Sequence, residues 1–253
     1  MPSPLIEPNW PAPAAVTALS TLRHGGVSTA PYDSFNLAMH VGDEAEAVQA
    51  NRELLSALLP KGSAIQWLNQ VHGTRVVPAG QGAPCPDADA SWSRQPGQAC
   101  AVLTADCLPV LFCSVDGDVV AAAHAGWRGL LGGVLEQTVE AMTAAPERLM
   151  AWLGPAIGPN AFEVGGEVRD AFVAAAAAAS AVATTACFTP HPANPGHYFA
   201  DLYALARLRL ASLGPIRVYG GGLCTYSAAE QYFSYRRDGE TGRMASIILL
   251  NPA

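Results

Sequence analysis

Apolar residues along the chain fall into short runs that predict β-strands and into longer stretches with a helical period that predict α-helices. The predicted strands cover residues 16–22, 65–69, 100–104, 108–113, 119–123, 149–153, 216–219 and 245–250. The predicted helices cover residues 44–59, 127–142, 167–183 and 201–213, and the first and last of them have Asp43 and Asp201 as expected N-caps. The segment 184–199 shows neither pattern and is predicted to be a loop.

These elements form no internal repeat and are separated by no clear linker, so they predict a single α+β domain with mixed sheets over residues 1–253. A chain of this length buries enough surface to form a core without disulfide bonds. Its six cysteines include no CxxC pair. We therefore expect the cysteines to be reduced and mostly buried.

Composition excludes several classes of function. Half of the residues are apolar, 14% are charged and the net charge is −7, so nucleic acid is not an expected partner. No run approaches the roughly 20 apolar residues of a membrane span. The first residues lack a basic leader and are interrupted by prolines, which makes the cytoplasm the expected compartment. The sequence leaves the oligomeric state open.

Three potential metal ligands lie near the ends of separate predicted strands. His72 follows the strand at 65–69, Cys107 stands between two apolar runs, and His124 follows the run at 119–123. Strand ends bring distant side chains to a common cleft. Two imidazoles and a thiolate suit zinc, and three protein ligands leave one tetrahedral position open, as in catalytic zinc sites. For His72 alone, the alternative is an ordinary loop histidine.

The same residues also allow chemistry without a metal. Cys107 would then be a nucleophile and His124 its base, with an aspartate or glutamine orienting the imidazole. A metal site uses both histidines, whereas a Cys-His dyad needs only one. The spacing leaves both alternatives open.

Several charged side chains are candidates for anion binding or proton transfer. Arg23 precedes a Gly-Gly turn, and Arg128 begins a predicted helix beside His124, where unpaired N–H groups favour an anion. The alternatives are a solvated surface turn for Arg23 and a carboxylate ion pair for Arg128. Asp87 and Asp89 either orient other groups, act as acid and base, or form an ordinary turn. Asp106 or Glu163 would shuttle protons.

The chain resembles the YfiH/DUF152 family over nearly its whole length. The segments that carry this resemblance are 23–28 (RHGGVS), 35–37 (FNL), 41–43 (VGD), 69–73 (NQVHG), 87–90 (DADA), 104–110 (TADCLPV), 124–129 (HAGWRG), 154–159 (GPAIGP) and 234–238 (SYRRD).

This resemblance implies that zinc is bound by His72, Cys107 and His124. It implies a layered α/β/β/α fold similar to the catalytic domain of cytotoxic necrotizing factor, a Cys-His deamidase. It also implies a purine nucleoside phosphorylase with adenosine deaminase activity, with phosphate, adenosine, inosine, guanosine and methylthioadenosine as substrates. The residues expected to be catalytic are Cys107, His124 and Asp106, and those expected to bind substrate or phosphate are Arg23, Asn36, Arg128 and Arg236.

Two further activities are associated with the family. Some members are described as editing peptidoglycan precursors, so a Cys-His amidase acting on muramyl peptides is the alternative enzyme. A zinc-stabilised partner protein is the non-enzymatic alternative. The family is also labelled a laccase-like polyphenol oxidase, but multicopper oxidases hold their coppers with many histidines in HxH pairs, and this chain has six histidines and no HxH. Copper is therefore expected only as an adventitious substitute for zinc.

Overall fold

The computed structural model describes residues 3–252, which form fourteen β-strands, seven α-helices and one 3₁₀ turn. The strands are β1 (Leu5–Ile6), β2 (Val16–Thr21), β3 (Ala64–Gln66), β4 (Val76–Pro78), β5 (Ala90–Ser93), β6 (Gln98–Thr104), β7 (Leu108–Ser114), β8 (Val120–Ala125), β9 (Leu149–Leu153), β10 (Glu163–Gly165), β11 (Phe188–Pro190), β12 (His197–Ala200), β13 (Arg217–Gly220) and β14 (Met244–Leu250). The helices are α1 (Ala45–Ala57), α2 (Trp127–Gly132), α3 (Val134–Met142), α4 (Gly166–Ala175), α5 (Ala181–Ala186), α6 (Leu202–Ser212) and α7 (Tyr235–Asp238).

The strands form two large mixed sheets and one small one. The five-stranded sheet has the order β1-β2-β14-β6-β3, with β3 parallel to β6 and the other pairs antiparallel. The six-stranded sheet has the order β13-β9-β7-β8-β5-β4, with parallel pairs at both edges. The small antiparallel sheet has the order β10-β12-β11.

Alternate residues of the central strands face different apolar layers. In β6, Val102 faces the layer between the two large sheets, whereas Leu103 faces α1 on the outer side. The outer side of the six-stranded sheet packs on α3 and α6 through Leu135 and Leu210. Both faces of these strands are buried, which explains why they read as continuous apolar runs. The order helix, sheet, sheet, helix confirms the α/β/β/α architecture.

The strands predicted at 100–104, 108–113, 149–153 and 245–250 are confirmed to within two residues. His124 lies inside β8, one residue before its end, because Pro109 of β7 pairs with it. Asp201 is confirmed as an N-cap, since its Oδ1 accepts a hydrogen bond from the Ala204 amide. Asp43 is not the cap of α1: the N-cap is Glu44, whose amide donates to Asp43 Oδ1.

Three other predictions about elements were wrong. The helix predicted over 127–142 is two helices, because Gly133 has a φ of 100°, outside the helical range. The helix predicted over 167–183 ends at Ala175. The loop predicted over 184–199 contains the end of α5, all of β11 and most of β12, strands too short to show a clear pattern. No helix within residues 3–252 is long and apolar enough to cross a membrane.

Candidate metal centre

The loop that carries His72 is held in place by one buried carboxylate. Asp89 accepts hydrogen bonds from three consecutive backbone amides, those of Val71 (3.2 Å), His72 (2.9 Å) and Gly73 (2.7 Å). The side chain of Gln70 adds a second attachment by donating to the carbonyl of Leu103 and accepting from its amide. These contacts hold His72 at a φ of 59°, which a β-carbon disfavours.

Asp89 also fixes the second imidazole. Its Oδ1 lies 2.8 Å from Nδ1 of His124, and both side chains are buried. Burial raises the pKa of Asp89, but the hydrogen bonds from His124 and Gly73 outweigh it and lower the pKa below its usual range. The carboxylate is therefore charged, and the bond at Nδ1 leaves Nε2 of His124 as its other donor atom.

Cys107 completes the group from the turn between β6 and β7. Its Sγ lies 3.8 Å from Nε2 of His72. Burial raises the pKa of the thiol, but His124 and His72 together lower it below that of a free cysteine. Burial also lowers the pKa of His124, but the Cys107 thiolate and Asp89 raise it by more, so the net pKa lies above that of a free histidine. Without a metal, these two opposite shifts favour a thiolate beside an imidazolium.

The donor atoms of His72, Cys107 and His124 all lie within 4.8 Å of one another. Zinc bonds of standard length in a tetrahedron place a sulfur and a nitrogen roughly 3.5 Å apart, close to the 3.8 Å between Cys107 and His72. Gly126 leaves room for this arrangement, since a β-carbon there would lie 2.9 Å from the Cys107 sulfur and 3.0 Å from His72 Cδ2. The residues present thus fit a metal of borderline softness such as zinc.

The three donors open into a cleft of about 360 Å³. The residues that line it are His40, Gln70, His72, Leu103, Thr104, Ala105, Cys107, His124, Tyr235 and Arg243. Tyr235 is 61% exposed, which is unusual for a large aromatic side chain in a cleft wall. A volume of this size is typical of sites for small molecules.

The other predicted site residues are not among those that line the cleft. Asp106 is nearly buried: its Oδ1 accepts from the Thr225 hydroxyl (2.6 Å) and its Oδ2 from the Arg236 amide (2.7 Å). This carboxylate therefore connects the turn of Cys107 to two distant segments. Glu163 lies beside His197, with 2.8 Å between Oε1 and Nδ1.

Each residue predicted to bind substrate or phosphate already has partners. Arg23 pairs with Asp33 at 3.5 Å and stacks on Phe233. The guanidinium of Arg236 donates to the carbonyl of Glu163, and that of Arg128 stacks on Trp127. Asn36 is fully buried, and its Oδ1 accepts from the amides of Ala38 and Arg243. Their direct roles in binding stay predictions.

Sequence analysis missed His40, Gln70, Tyr235 and Arg243 as cleft residues. It named Asp89 but left its role open between orienting other groups, acid–base chemistry and an ordinary turn. A usable signal existed for Arg243, because it directly precedes the last apolar run, as Cys107 precedes another. For Gln70 there was none, since its bonds to Leu103 join segments 33 residues apart.

A family model described as multi-copper polyphenol oxidoreductase laccase matches residues 17–251. The chain belongs to this family. Among proteins similar to this chain, one of Pseudomonas aeruginosa is named purine nucleoside phosphorylase. It is 54% identical over 245 residues, which cover 97% of this chain and 98% of that protein. The purine nucleoside phosphorylase YfiH of Escherichia coli is 55% identical over 249 residues, covering 98% and 99%.

Solved structures of the family agree with the fold. A Neisseria meningitidis protein of the DUF152 family is 50% identical, with a TM-score of 0.90 and coverage of 98% of this chain and 100% of that one. YlmD from Geobacillus stearothermophilus is 31% identical, with a TM-score of 0.84 and coverage of 99% and 97%. These likenesses confirm the resemblance to YfiH/DUF152 proteins.

The number of metal positions in this protein differs from what the name laccase implies. A multicopper oxidase needs a mononuclear copper and a trinuclear cluster. Within residues 3–252, His72, Cys107 and His124 form the one group of three or more metal-ligating side chains. The described part of the chain therefore offers one metal position of this kind.

Proposed function

We propose that this protein is a zinc-dependent purine nucleoside phosphorylase that also deaminates adenosine. The observation that carries the proposal is the metal centre in a cleft of nucleoside size, in a chain 46–55% identical to relatives named purine nucleoside phosphorylase. Its substrates are phosphate and the nucleosides adenosine, inosine, guanosine and methylthioadenosine.

His72, Cys107 and His124 hold the metal, while Asp89 orients the imidazole of His124 and fixes the backbone of the loop that carries His72. When bound, zinc supplies Lewis-acid chemistry by polarising an oxygen atom. Copper replaces it only adventitiously, because copper binds nitrogen and sulfur ligands tightly.

The exposed ring of Tyr235 offers a flat apolar wall on which a purine stacks. In phosphorolysis a phosphate oxygen forms a bond to C1′ while the bond from C1′ to N9 breaks. The purine leaves with that electron pair and takes up a proton, so the products are free base and ribose 1-phosphate. In deamination water adds at C6 of adenosine and ammonia leaves, giving inosine.

The test uses apo and zinc-reconstituted protein with adenosine and phosphate, followed by chromatography of adenine, inosine and hypoxanthine. We expect the apo protein to be inert and zinc to restore product formation. Absence of purine products in every metal state would contradict the proposal.

One observation favours a second candidate, a Cys-His amidase acting on muramyl-peptide precursors. Asp89 lies 2.8 Å from Nδ1 of His124, and the donor atom of His124 lies within 4.8 Å of the Cys107 sulfur, so a carboxylate, an imidazole and a thiol are neighbours as in cysteine nucleophile sites. In that enzyme an acyl group on Cys107 is trapped from an amide substrate with or without metal. Formation of such an acyl-enzyme, together with absence of purine turnover, would select this candidate.

A further inference from the structure

The cleft contains one permanently charged side chain. Arg243 is the single arginine or lysine among the ten lining residues, which otherwise include three histidines. It lies one residue before β14, where Met244 pairs with Thr104 of β6. That register places Arg243 beside the turn that carries Asp106 and Cys107.

The guanidinium of Arg243 is only partly used. Its Nη1 donates to the carbonyls of Thr241 (2.7 Å) and Gly242 (3.1 Å), which belong to its own loop. Its Nε and Nη2 donate no hydrogen bond to residues 3–252, and no carboxylate there forms an ion pair with it. Its Cζ lies 5.7 Å from the centre of the Tyr235 ring, so the guanidinium is next to the wall on which the purine is proposed to stack. Arg23, by contrast, has a carboxylate partner in Asp33.

The side-chain amide of the buried Asn36 fixes the backbone of Arg243. Asn36 Oδ1 accepts from the Arg243 backbone amide (2.9 Å), and the Arg243 carbonyl accepts from the Leu37 amide. A side chain with a fixed backbone and two anchored donors loses little entropy when it binds a ligand. Asn36 is thus a positioning residue for Arg243.

The charge of this group is directed into the cleft. Burial lowers the pKa of Arg243, although the nearby charges of Cys107 and Asp106 oppose this shift. Its charge in turn helps to lower the pKa of His40 on the cleft wall, after burial of that imidazole. A partly desolvated cation with no carboxylate at ion-pair distance gains most from an anion that brings two acceptor oxygens.

We propose that Arg243 binds the substrate phosphate through the Nε and Nη2 edge of its guanidinium, beside the metal centre. This inference rests on the proposed function, because phosphate is the anionic substrate of phosphorolysis. It assigns the anion subsite to a residue of the cleft wall.

The test compares steady-state kinetics of zinc-loaded wild type, Arg243→Gln and Arg243→Lys with inosine and phosphate. Loss of the charge-assisted bonds is expected to raise the KM for phosphate roughly 10- to 150-fold in Arg243→Gln, with less than a threefold change in the KM for inosine. Arg243→Lys keeps the charge but loses the two-pronged geometry, so its KM for phosphate lies between the other two. Zinc content is measured in each variant and is expected to stay at the wild-type value.

Arg148→Gln is the matched control, because it removes the same charge from an exposed pair with Asp116. It is expected to leave both KM values unchanged. Arg128→Gln tests the alternative that Arg128, which the sequence analysis expected at the phosphate site, binds the anion. An increase in the KM for phosphate in Arg128→Gln and none in Arg243→Gln would overturn the inference, as would equal increases in both KM values of Arg243→Gln.

The two proposals fail in different ways. If wild type forms no hypoxanthine from inosine, the proposed function fails, and calorimetric titration of zinc-loaded protein with inorganic phosphate then tests Arg243 directly. Binding by wild type that is lost in Arg243→Gln supports the anion subsite. No binding by wild type overturns it.

Discussion

Two regions of this protein combine one carboxylate with two histidines, and they differ in burial and in the contacts that hold the carboxylate. At the candidate metal centre, Asp89 lies 2.8 Å from His124 and holds the loop of His72. In the small sheet, Glu163 lies 2.8 Å from His197 and 3.9 Å from His191. The first pair is 0% and 4% exposed in its side chains, whereas the Glu163–His197 pair is 34% and 44% exposed.

The difference shows that the surroundings decide what such a pair does. Asp89 has three backbone N–H donors and a buried imidazole, so its charge and position are both fixed. Glu163 is hydrogen-bonded by Asn194 and faces solvent, where an ion pair stabilises the fold little. Only the buried cluster has a thiolate as a third donor and opens into a cleft.

The largest expected effect is the loss of metal when a donor is removed. His72→Ala, Cys107→Ala and His124→Ala each leave two protein donors. Two donors bind zinc much more weakly than the three of wild type. We expect one zinc per chain in wild type and almost none in these variants, measured by elemental analysis. His197→Ala, in the exposed cluster, is the control and retains zinc. Full occupancy in any of the three variants would remove that residue from the ligand set.

The next effect concerns orientation without loss of a donor. Asp89→Asn keeps the size of the side chain but replaces one acceptor oxygen by an NH₂ group, so it loses part of its hold on His72 and His124. We expect zinc affinity to fall about 10- to 100-fold, measured by competition with a chromogenic chelator.

Glu163→Gln makes the same chemical change in the exposed cluster and should leave zinc affinity unaltered. Equal zinc affinity in Asp89→Asn and wild type would show that the histidines are oriented by other contacts.

Removal of the metal is expected to change the reactivity of one thiol. Bound to zinc, the Cys107 thiolate reacts slowly with iodoacetamide; after chelation it is exposed to the reagent while its lowered pKa keeps it ionised. Labelling is located by peptide mass spectrometry, with Cys107→Ser as the blank. Because the pKa is lowered, labelling of the apo protein should persist at a pH where free cysteine is protonated. Rapid labelling that zinc does not slow would favour the amidase.

The smallest effect is expected in acid at the exposed cluster. The hydrogen bond from Asn194 lowers the pKa of Glu163, and the nearby His191 and His197 add to this against the opposing influence of burial. A carboxylate with a lowered folded-state pKa contributes stability above its unfolded-state pKa and loses it as the pH falls through the folded-state value. Glu163→Gln should therefore lower the Tm slightly at neutral pH and not at all in strong acid. A large loss of Tm would mean that exposure does not weaken this pair.

Much of the central fold could be predicted from local pattern. The strands β6, β7, β9 and β14 are apolar on both faces because each lies between two apolar layers. Burial on both faces produces continuous apolar runs, which can be recognised in the sequence. The short strands β11 and β12 could not be predicted, since three or four residues carry too little periodicity and their stability comes from pairing in the small sheet, where β12 lies between β10 and β11.

The sequence by itself determined the candidate donors, because the residue types of His72, Cys107 and His124, near strand ends, already suit a metal. Only the tertiary structure decided what surrounds them. Asp89 became the residue that orients His124 and holds the His72 loop because the folded chain brings three amides and an imidazole to one carboxylate. Arg243 entered the cleft because β14 pairs with β6, a contact between segments about 140 residues apart. Such distant pairings depend on packing of the whole core, which no local pattern encodes.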